Sequence, residues 1–351
     1  MRTGGITRIL PINLALLLFF LPGPALSADS KAHDQYLHAA NLFEQDKYDD
    51  AIAALKQAIQ LQPNFPDAYL LLGKVYFDGK RRVSDATSAI KKALQQKPDF
   101  PEAYYELGIV FQAQGKFVDA EQALRQAIKL NAKYEEAYWA LGWQFQRNRL
   151  NDKAIQILRD LLAVNPDHTG ALYTLAMLYD GQGDSRKARE TLEHLIKVDP
   201  MHPDGWYLLG RIEEKDGRVP QAIEAYRMAL SAKPDLVDAH FNLAFLYRSE
   251  GKLSEAVRRF EEVIRLRPEY AEAHLNLGGL YANMGRLDRA EQEYEMAVRF
   301  KPTLAEAHYR LGLFYESHRK DMIKALASYR KYVELGGKDE RIARIVGQAG
   351  H

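Results

Sequence analysis

Cysteine is absent from all 351 residues of this chain, which excludes disulfide bonds, thiolate metal sites and covalent haem attachment. Short motifs of catalysis are absent as well. The sequence has no G-x-x-x-x-G-K-[ST] phosphate loop, no H-E-x-x-H zinc motif, no G-x-S-x-G nucleophile elbow and no EF-hand loop. These absences argue against an enzyme, so we predict no catalytic residues, no cofactor and no metal ion.

Net charge is also nearly absent. The chain has 48 Lys and Arg residues against 47 Asp and Glu residues, and two of the basic residues, Arg2 and Arg8, lie in a predicted leader. Because nucleic-acid binding requires clustered positive charge, this balance predicts no nucleic-acid partner. The carboxylates lie at helix-surface positions, where solvation and i,i+4 ion pairs account for them.

The amino terminus has the pattern of a secretory signal peptide. Arg2 and Arg8 supply positive charge, residues 14–21 form an uninterrupted apolar run, and residues 25–27 (Ala-Leu-Ser) provide a small-residue cleavage site. The apolar segment is shorter than the roughly 20 residues that span a bilayer. No N-x-[ST] glycosylation sequon occurs, which favours a bacterial periplasm over a eukaryotic secretory route. We therefore expect an exported, soluble protein, periplasmic or secreted, with no membrane insertion after cleavage.

A repeat of about 34 residues fills most of the remaining chain. One alanine recurs in every period, and a small residue precedes it by twelve or thirteen positions. The alanines are Ala51, Ala86, Ala120, Ala154, Ala188, Ala222, Ala256, Ala290 and Ala325, and the small residues are Ala39, Gly73, Gly108, Gly142, Ala176, Gly210, Ala244, Gly278 and Gly312. A fixed period in this range predicts a stacked array of identical supersecondary units.

Within one period, apolar residues recur at spacings of three and four, which is the pattern of amphipathic helices. In the repeat that begins at Val237, Gly251 separates two such runs and Pro268 follows the second. Glycine ends a helix readily because it adopts positive φ, and proline cannot continue a helix. Each repeat is therefore predicted to be helix A, a tight turn and helix B, with the recurring alanine of helix B facing the small residue of helix A.

These repeats resemble the tetratricopeptide repeat, as in residues 101–130, where an aromatic residue, Leu-Gly, an aromatic residue and two alanines stand at that family's offsets. The resemblance implies an all-α, right-handed α-solenoid of about nine helix-turn-helix repeats with a C-terminal capping helix. The predicted divisions are a signal peptide at 1–27, a short leader at 28–31, nine repeats at 32–338, and a capping helix and tail at 339–351. Repeats two and nine carry one extra residue, which we assign to the turn between their helices.

The A helices of such an array line a concave groove, and there the resemblance places partner binding. The fifth and ninth positions of a repeat lie one helical turn apart on that face, and asparagine or arginine occupies the sixth position of the last three repeats. Amides hydrogen-bond to peptide backbone and arginine binds carboxylates. The predicted partner-binding residues are Tyr105, Trp139, Trp143, Tyr173, Tyr207, Phe241, Asn242, Phe245, Asn276, Tyr309 and Arg310. The alternative for the fifth-position aromatic residues is packing between neighbouring A helices.

Two further features have competing interpretations. His240, His274 and His308 share one offset, but neighbouring A-helix axes lie roughly 16–20 Å apart, too far for a shared zinc ion with ligands near 2 Å. We therefore predict that these histidines pack in place of an aromatic residue. Glu213 stands where most repeats have an aromatic residue. Either it reaches an arginine or lysine on an adjacent helix or solvent, or it weakens a joint that flexes on binding.

Together these features predict a non-catalytic scaffold that binds a protein or peptide in its groove, for assembly of an envelope or secretion complex. Two alternatives stay open. The first is a self-assembling structural solenoid, in which the groove takes another copy of the chain. The second is an accessory module of a polysaccharide or glycosyl-transfer system, in which the aromatic residues stack on sugars.

Overall fold

The computed structural model describes residues 28–349, and every regular element in that range is helical. The predicted signal peptide at residues 1–27 lies outside the described residues. Within each compact unit described below, successive helices pack against each other as hairpins, so the predicted all-α fold of repeated helical hairpins is confirmed. No helix within residues 28–349 combines the length and the apolar character needed to cross a bilayer.

The chain divides into two compact units, one ending at Gln144 and the other beginning at Phe145. The helices that begin in the N-terminal unit are α1 Ala28–Glu44, α2 Tyr48–Leu61, α3 Pro66–Lys74, α4 Val83–Gln96, α5 Pro101–Ala113, α6 Phe117–Leu130 and α7 Glu135–Arg147. Helix α1 begins four residues before the predicted start of the first repeat at Ala32. The segment predicted as a short leader is therefore the first turn of that helix.

The C-terminal unit continues the same alternation of A and B helices. Its helices are α8 Asn151–Val164, α9 Thr169–Gly181, α10 Ser185–Val198, α11 Pro203–Lys215, α12 Val219–Ala232, α13 Val237–Ser249, α14 Leu253–Leu266, α15 Ala271–Asn283, α16 Leu287–Phe300, α17 Ala305–Phe314, α18 Met322–Glu334 and α19 Glu340–Gln348. The last of these is the predicted capping helix: Asp339 Oδ1 accepts a hydrogen bond from Ile342 N at 3.0 Å, and the Ile342 side chain is fully buried.

Close packing at each helix crossing explains the recurring small residues. All nine alanines of the repeat are completely buried. The sequence predicted that the small residue of helix A faces the recurring alanine of helix B. In the structure it faces the side chain four residues after that alanine, one helical turn further along helix B. A Cβ added to Gly210 would lie 2.7 Å from the ring of Tyr226, and one added to Gly108 would lie 2.7 Å from Leu124 Cγ. Because real carbon contacts are about 3.5–4.0 Å, neither position has room for a methyl group.

The turn between helices A and B contains one residue of positive φ. In five repeats this residue is the predicted glycine, for example Gly251 with φ of 71°. The other repeats use Asp46, Arg81, Arg149 and Lys320, with φ between 54° and 59°. Asparagine, aspartate and glycine adopt this conformation most readily, so the three basic residues hold it at a cost in backbone strain.

The extra residues of repeats two and nine lie at the ends of their A helices rather than in the turns. The chain forms a π-helical segment at Val75–Gly79, directly after α3, and another at Tyr315–Arg319, directly after α17. A π turn holds one more residue than an α turn. The insertion is therefore absorbed before the turn, and the following alanines, Ala86 and Ala325, remain fully buried.

Candidate functional site

The predicted fifth-position aromatic residues are half-buried and packed against other rings. In the N-terminal unit, Tyr105 lies 5.2 Å from the ring of Tyr134, the residue that directly precedes α7. Burial, followed by the nearby carboxylate of Glu106, raises the pKa of Tyr105, so its phenol is neutral. This position therefore contributes to the packing between successive A helices, which is the alternative that the sequence left open.

The C-terminal unit repeats this arrangement. The ring-centroid distances are 5.3 Å for Tyr173–His202, 5.7 Å for Tyr207–Tyr226, 5.1 Å for Phe241–Tyr270 and 5.1 Å for Tyr309–Tyr332. His202 and Tyr270 each directly precede an A helix. The rings at the fifth position therefore have a structural partner in each of these repeats, and each ring is half-buried.

The two predicted tryptophans differ in exposure. Trp139 on α7 is half-buried, whereas Trp143, one turn further along the same helix, is 44% exposed. Trp143 is the most exposed aromatic side chain among the predicted site residues. An exposed indole on the A-helix face is the type of anchor that dominates protein interfaces.

Phe241 and Phe245 form one aromatic cluster with Phe260 of α14. The Phe241–Phe245 centroid distance is 4.9 Å, and Phe260 lies 5.6 Å and 5.5 Å from the two rings. The guanidinium of Arg248 lies 4.6 Å from the Phe245 centroid, within cation–π range. Phe245 is therefore half-buried and covered on one face by a positive charge, rather than openly presented to a ligand.

The two predicted asparagines already hydrogen-bond within the protein. Asn242 Nδ2 lies 3.2 Å from the Tyr226 hydroxyl and 3.4 Å from the Tyr207 hydroxyl. Asn276 Nδ2 donates to the Glu272 carbonyl at 2.7 Å, and its Oδ1 accepts from Arg248 Nη1 at 2.9 Å. These contacts use one N–H and one oxygen lone pair of the Asn276 amide, which leaves one N–H and one lone pair for a peptide backbone.

Arg310 and Asn276 line a cleft of about 520 Å³ in the C-terminal unit, formed by the A helices α13, α15 and α17 and by α16. We call this space the α15 cleft. Its lining includes Arg248, Asn276, Gly279, Ala282, Tyr294 and Arg310. Volumes of this size are typical of binding pockets. The cleft therefore brings together two of the predicted site residues, which are the sixth-position residues of consecutive repeats.

The electrostatics of the α15 cleft favour hydrogen-bond acceptors. Arg310 Nε donates to Glu306 Oε1 at 2.7 Å, and the Arg310 side chain is 55% exposed. That hydrogen bond raises the pKa of Arg310, and burial lowers it by a smaller amount. The overall pKa is raised, so Arg310 stays charged. Arg248 adds a second positive charge, whereas Glu306 is the single acidic residue in the lining. Sequence reasoning did not find Tyr294 or Gly279 in this lining, although a comparison of Tyr294 with the tyrosines at the same position of other repeats could have done so.

The histidines at the fourth position of the last three repeats contact the loop that precedes their A helices. Nε2 of His240, His274 and His308 lies 3.0, 2.8 and 2.9 Å from a proline carbonyl six residues earlier in the chain. Trp206 Nε1 donates to Pro200 O at 2.8 Å in the same way. All three histidines are buried, and no metal-binding group of three or more ligands occurs in the part of the chain that the structure describes. The packing interpretation of these residues fits the geometry.

The environments of His240 and His274 differ. Burial, the largest effect, lowers the pKa of His240, and its Nδ1 has no hydrogen-bond partner. Burial also lowers the pKa of His274, but its Nδ1 lies 2.6 Å from Glu293 Oε2, and the contacts with Glu293 and Pro268 raise the pKa above the usual 6.5 overall. Of these two histidines, only His274 has a carboxylate partner that favours its protonated form.

Glu213 is 5% exposed and belongs to an ion-pair network, which is the first of the two interpretations that the sequence left open. Its carboxylate accepts from Arg189 Nε at 2.8 Å and from Arg218 Nε at 2.5 Å. Both guanidinium groups also contact Asp216, which is 2.8 Å from Arg218 Nη2. Because Arg189 belongs to α10 and Glu213 to α11, the network connects two successive repeats, as the ion-pair interpretation predicted.

Three models of the repeat family match separate parts of the chain. A model described as "Tetratricopeptide repeat" matches residues 173–237, and a second with that description matches residues 79–142 and 247–312. A third, described as "TPR repeat", matches residues 41–79. The chain contains tetratricopeptide repeats. No curated protein matches the chain by sequence.

Several solved structures are similar to this chain, and some of them are described as tetratricopeptide repeat proteins. The C-terminal part of a repeat-containing protein from Cytophaga hutchinsonii is 17% identical, covering 68% of this chain and 97% of its own with a TM-score of 0.60. A repeat protein from Parabacteroides merdae is 19% identical, covering 71% and 98% with a TM-score of 0.47. For pilF of Pseudomonas aeruginosa the identity is 20%, the coverage 59% and 94%, and the TM-score 0.48. The first of these likenesses, at 17% identity, shows the fold alone.

Proposed function

We propose that this tetratricopeptide repeat protein is a non-catalytic scaffold that binds a polypeptide partner on its A helices. The observation that carries the proposal is the α15 cleft, where polar and charged groups from three successive repeats converge. Tetratricopeptide repeat folds generally mediate protein–protein interaction. An array of this kind supplies an extended surface rather than a single reaction centre.

The exposed indole of Trp143 supports the same function in the N-terminal unit. Burial of a large aromatic side chain supplies much of the binding free energy at protein interfaces. We expect moderate affinity with little salt dependence, because apolar burial and hydrogen bonds to the peptide provide most of the interaction. The predicted signal peptide supports a role in an envelope or secretion complex outside the cytoplasm.

The experiment compares partner capture by wild type and by Trp143→Ala. Crosslinked affinity capture from the periplasmic fraction of the native host identifies candidate partners, which are then purified and titrated directly. Val118→Ala is the matched control, because Val118 is 71% exposed in the same unit but lies on helix B of its repeat. We expect Trp143→Ala to weaken binding at least tenfold, and Val118→Ala to leave it unchanged.

The design also separates the alternatives. A partner that binds both variants as tightly as wild type would contradict the role of the A-helix face. Recovery of the chain itself alone, with light scattering that rises with protein concentration, would favour the self-assembling solenoid. Binding to an array of glycans without binding to polypeptide would favour the polysaccharide accessory module. Equal melting temperatures of the two variants must be confirmed first.

A further inference from the structure

His240 on α13 is a buried histidine with only one ring nitrogen in use. The residue is 5% exposed, and its Nε2 lies 3.0 Å from the Pro234 carbonyl oxygen. Because a carbonyl oxygen only accepts hydrogen bonds, Nε2 carries the proton and Nδ1 has the lone pair. Nδ1 is itself buried, and no group within residues 28–349 forms a hydrogen bond with it. The surroundings of this imidazole therefore fit its neutral form.

The charged side chains around His240 come from α14, the helix that forms a hairpin with α13. They are Arg259, Glu262 and Arg265. Glu262 Oε2 and Arg265 Nε lie 2.7 Å apart, so the charges of this ion pair offset each other. Arg259 leaves a net positive charge, which opposes a second positive charge on the imidazole. Helix α12 also packs against α13 but supplies none of these three groups.

The next repeat has the opposite charge at the position of Arg259. Arg259 and Glu293 each lie three residues after the recurring alanine of their B helix. His274 occupies the position of His240, and its Nδ1 lies 2.6 Å from Glu293 Oε2. Nε2 of each histidine contacts a proline carbonyl oxygen. Two successive repeats therefore have the same buried histidine but reverse the charge at the equivalent position of helix B.

Protonation has opposite consequences in these two repeats. A protonated His240 would have a buried N–H at Nδ1 without an acceptor, near the charge of Arg259, and both effects cost free energy in the folded state. A protonated His274 donates from Nδ1 to Glu293, which strengthens the contact between α15 and α16. Burial accordingly lowers the pKa of His240 below 6.5. Burial also lowers the pKa of His274, but its contacts with Glu293 and Pro268 raise that pKa by more.

The stability of the two repeats therefore changes in opposite directions as the pH falls. His240 binds a proton more tightly in the unfolded chain, so the seventh repeat (α13 and α14) loses stability as the pH falls below 6.5. His274 binds a proton more tightly in the folded chain, so the eighth repeat (α15 and α16) gains stability as the pH falls through the folded-state pKa towards 6.5. Both changes belong to the pH range in which histidine titrates.

We propose that acidification loosens the contact between α13 and α14 in the seventh repeat, while it strengthens the contact between α15 and α16 in the eighth. Opening of the α13–α14 hairpin brings Nδ1 of His240 to water, which accepts its hydrogen bond. Helix α13 also carries Phe241 and Phe245, whose rings lie 5.6 Å and 5.5 Å from that of Phe260 on α14. The same opening therefore separates predicted partner-binding residues from their support. That consequence for binding rests on the proposed function, whereas the pH response does not.

The test is hydrogen exchange of the backbone amides of the full chain at pH 7.5 and pH 5.0, resolved by helix. Exchange rates are converted to protection factors, which removes the intrinsic pH dependence of amide exchange. We expect the protection of the α13 amides to be about tenfold lower at pH 5.0, which is the loss expected when one buried donor is left without an acceptor. The protection of the α15 amides should not fall.

Three variants attribute the pH response to His240 and its surroundings. Arg259→Glu supplies the carboxylate that Glu293 supplies in the next repeat, so the protection of α13 should no longer fall at pH 5.0. Arg258→Glu is the matched control, because it changes the net charge equally, but Arg258 is exposed and is not one of the three charged groups around His240. In this control the fall should persist. His240→Phe removes the titrating group and should abolish the fall.

Three results would overturn the proposal. The first is equal protection of α13 at both pH values in wild type, or a fall in α15 as large as that in α13. The second is a fall that persists in Arg259→Glu or in His240→Phe. The third is a fall that Arg258→Glu removes as fully as Arg259→Glu does. Circular dichroism at pH 7.5 confirms beforehand that each variant is folded, and His240→Phe decides the question if a charge variant is not. Every measurement uses the chain alone, so failure here is distinct from failure of the proposed binding function, which is tested by Trp143→Ala.

Discussion

Replacing Gly210 by alanine tests the helix crossing on which the whole repeat depends. The added Cβ would lie 2.7 Å from two carbons of the Tyr226 ring, about 1 Å closer than ordinary carbon contacts allow. The ring is fully buried, and its hydroxyl is held by Glu214 at 2.7 Å, so it has little freedom to move. Overpacking of this kind costs about 2–3 kcal/mol. Alanine returns about 1 kcal/mol of helix propensity relative to glycine, which leaves a net destabilisation of about 1–2 kcal/mol.

The assay is denaturant unfolding followed by circular dichroism, with hydrogen exchange of the α11 and α12 amides. Both measurements are needed because repeat arrays do not always unfold in one step. Gly181→Ala is the control: an added Cβ there has no heavy atom within 4 Å, so this variant should be at least as stable as wild type.

A double-mutant cycle adds specificity to this experiment. Tyr226→Leu reproduces the natural pair Ala176–Leu192, in which both side chains are fully buried. Gly210→Ala should therefore cost less in the Tyr226→Leu background than in wild type. If Gly210→Ala left stability and exchange unchanged in both backgrounds, the crossing geometry described here would be refuted.

Three further predictions concern single side chains. Ala222→Leu should destabilise the chain by about 1–3 kcal/mol in thermal unfolding, because Ala222 is fully buried; an unchanged melting temperature would contradict the register. Glu213→Gln should destabilise the chain by about 2–3 kcal/mol, since Arg189 loses its buried anionic partner. A variant as stable as wild type would show that the ion-pair network does not stabilise the fold. The raised pKa of His274 means that its pair with Glu293 stabilises the fold fully below pH 6.5, and that this stability is lost as the pH rises through the folded-state pKa. Wild type should therefore exceed Glu293→Gln in melting temperature at pH 6 by more than at pH 9, whereas an equal difference at both would argue against the charged pair.

The fold could be predicted because the period, the apolar spacing and the turn residues all indicate the same helical hairpin. The recurring alanines and the glycine turns were located correctly from the sequence alone. The position of the π-helical segments was not, because a single inserted residue can be absorbed anywhere between two fixed helices. The partner of Gly210 was also missed, since the contact depends on how far one helix is rotated relative to the other.

The candidate site was harder to predict than the fold. Sequence position indicates that a side chain lies on helix A, but it does not indicate whether a neighbouring ring or amide already covers it. Tyr105 and Asn276 share their offsets with groove residues and yet contact Tyr134 and Arg248. Tyr294, which lines the α15 cleft, was overlooked because it lies on helix B, whereas the predicted site residues all lie on helix A.

The two π-helical segments show how the array accommodates a change in length. A residue inserted into a regular helix rotates everything that follows by about 100°, which would turn a buried face towards solvent. At Val75–Gly79 and Tyr315–Arg319 the extra residue is contained within one wide turn, and the next B helix keeps its orientation. Insertions at the end of an A helix are therefore local events, so one repeat of this chain can change in length while the contacts of the others stay the same.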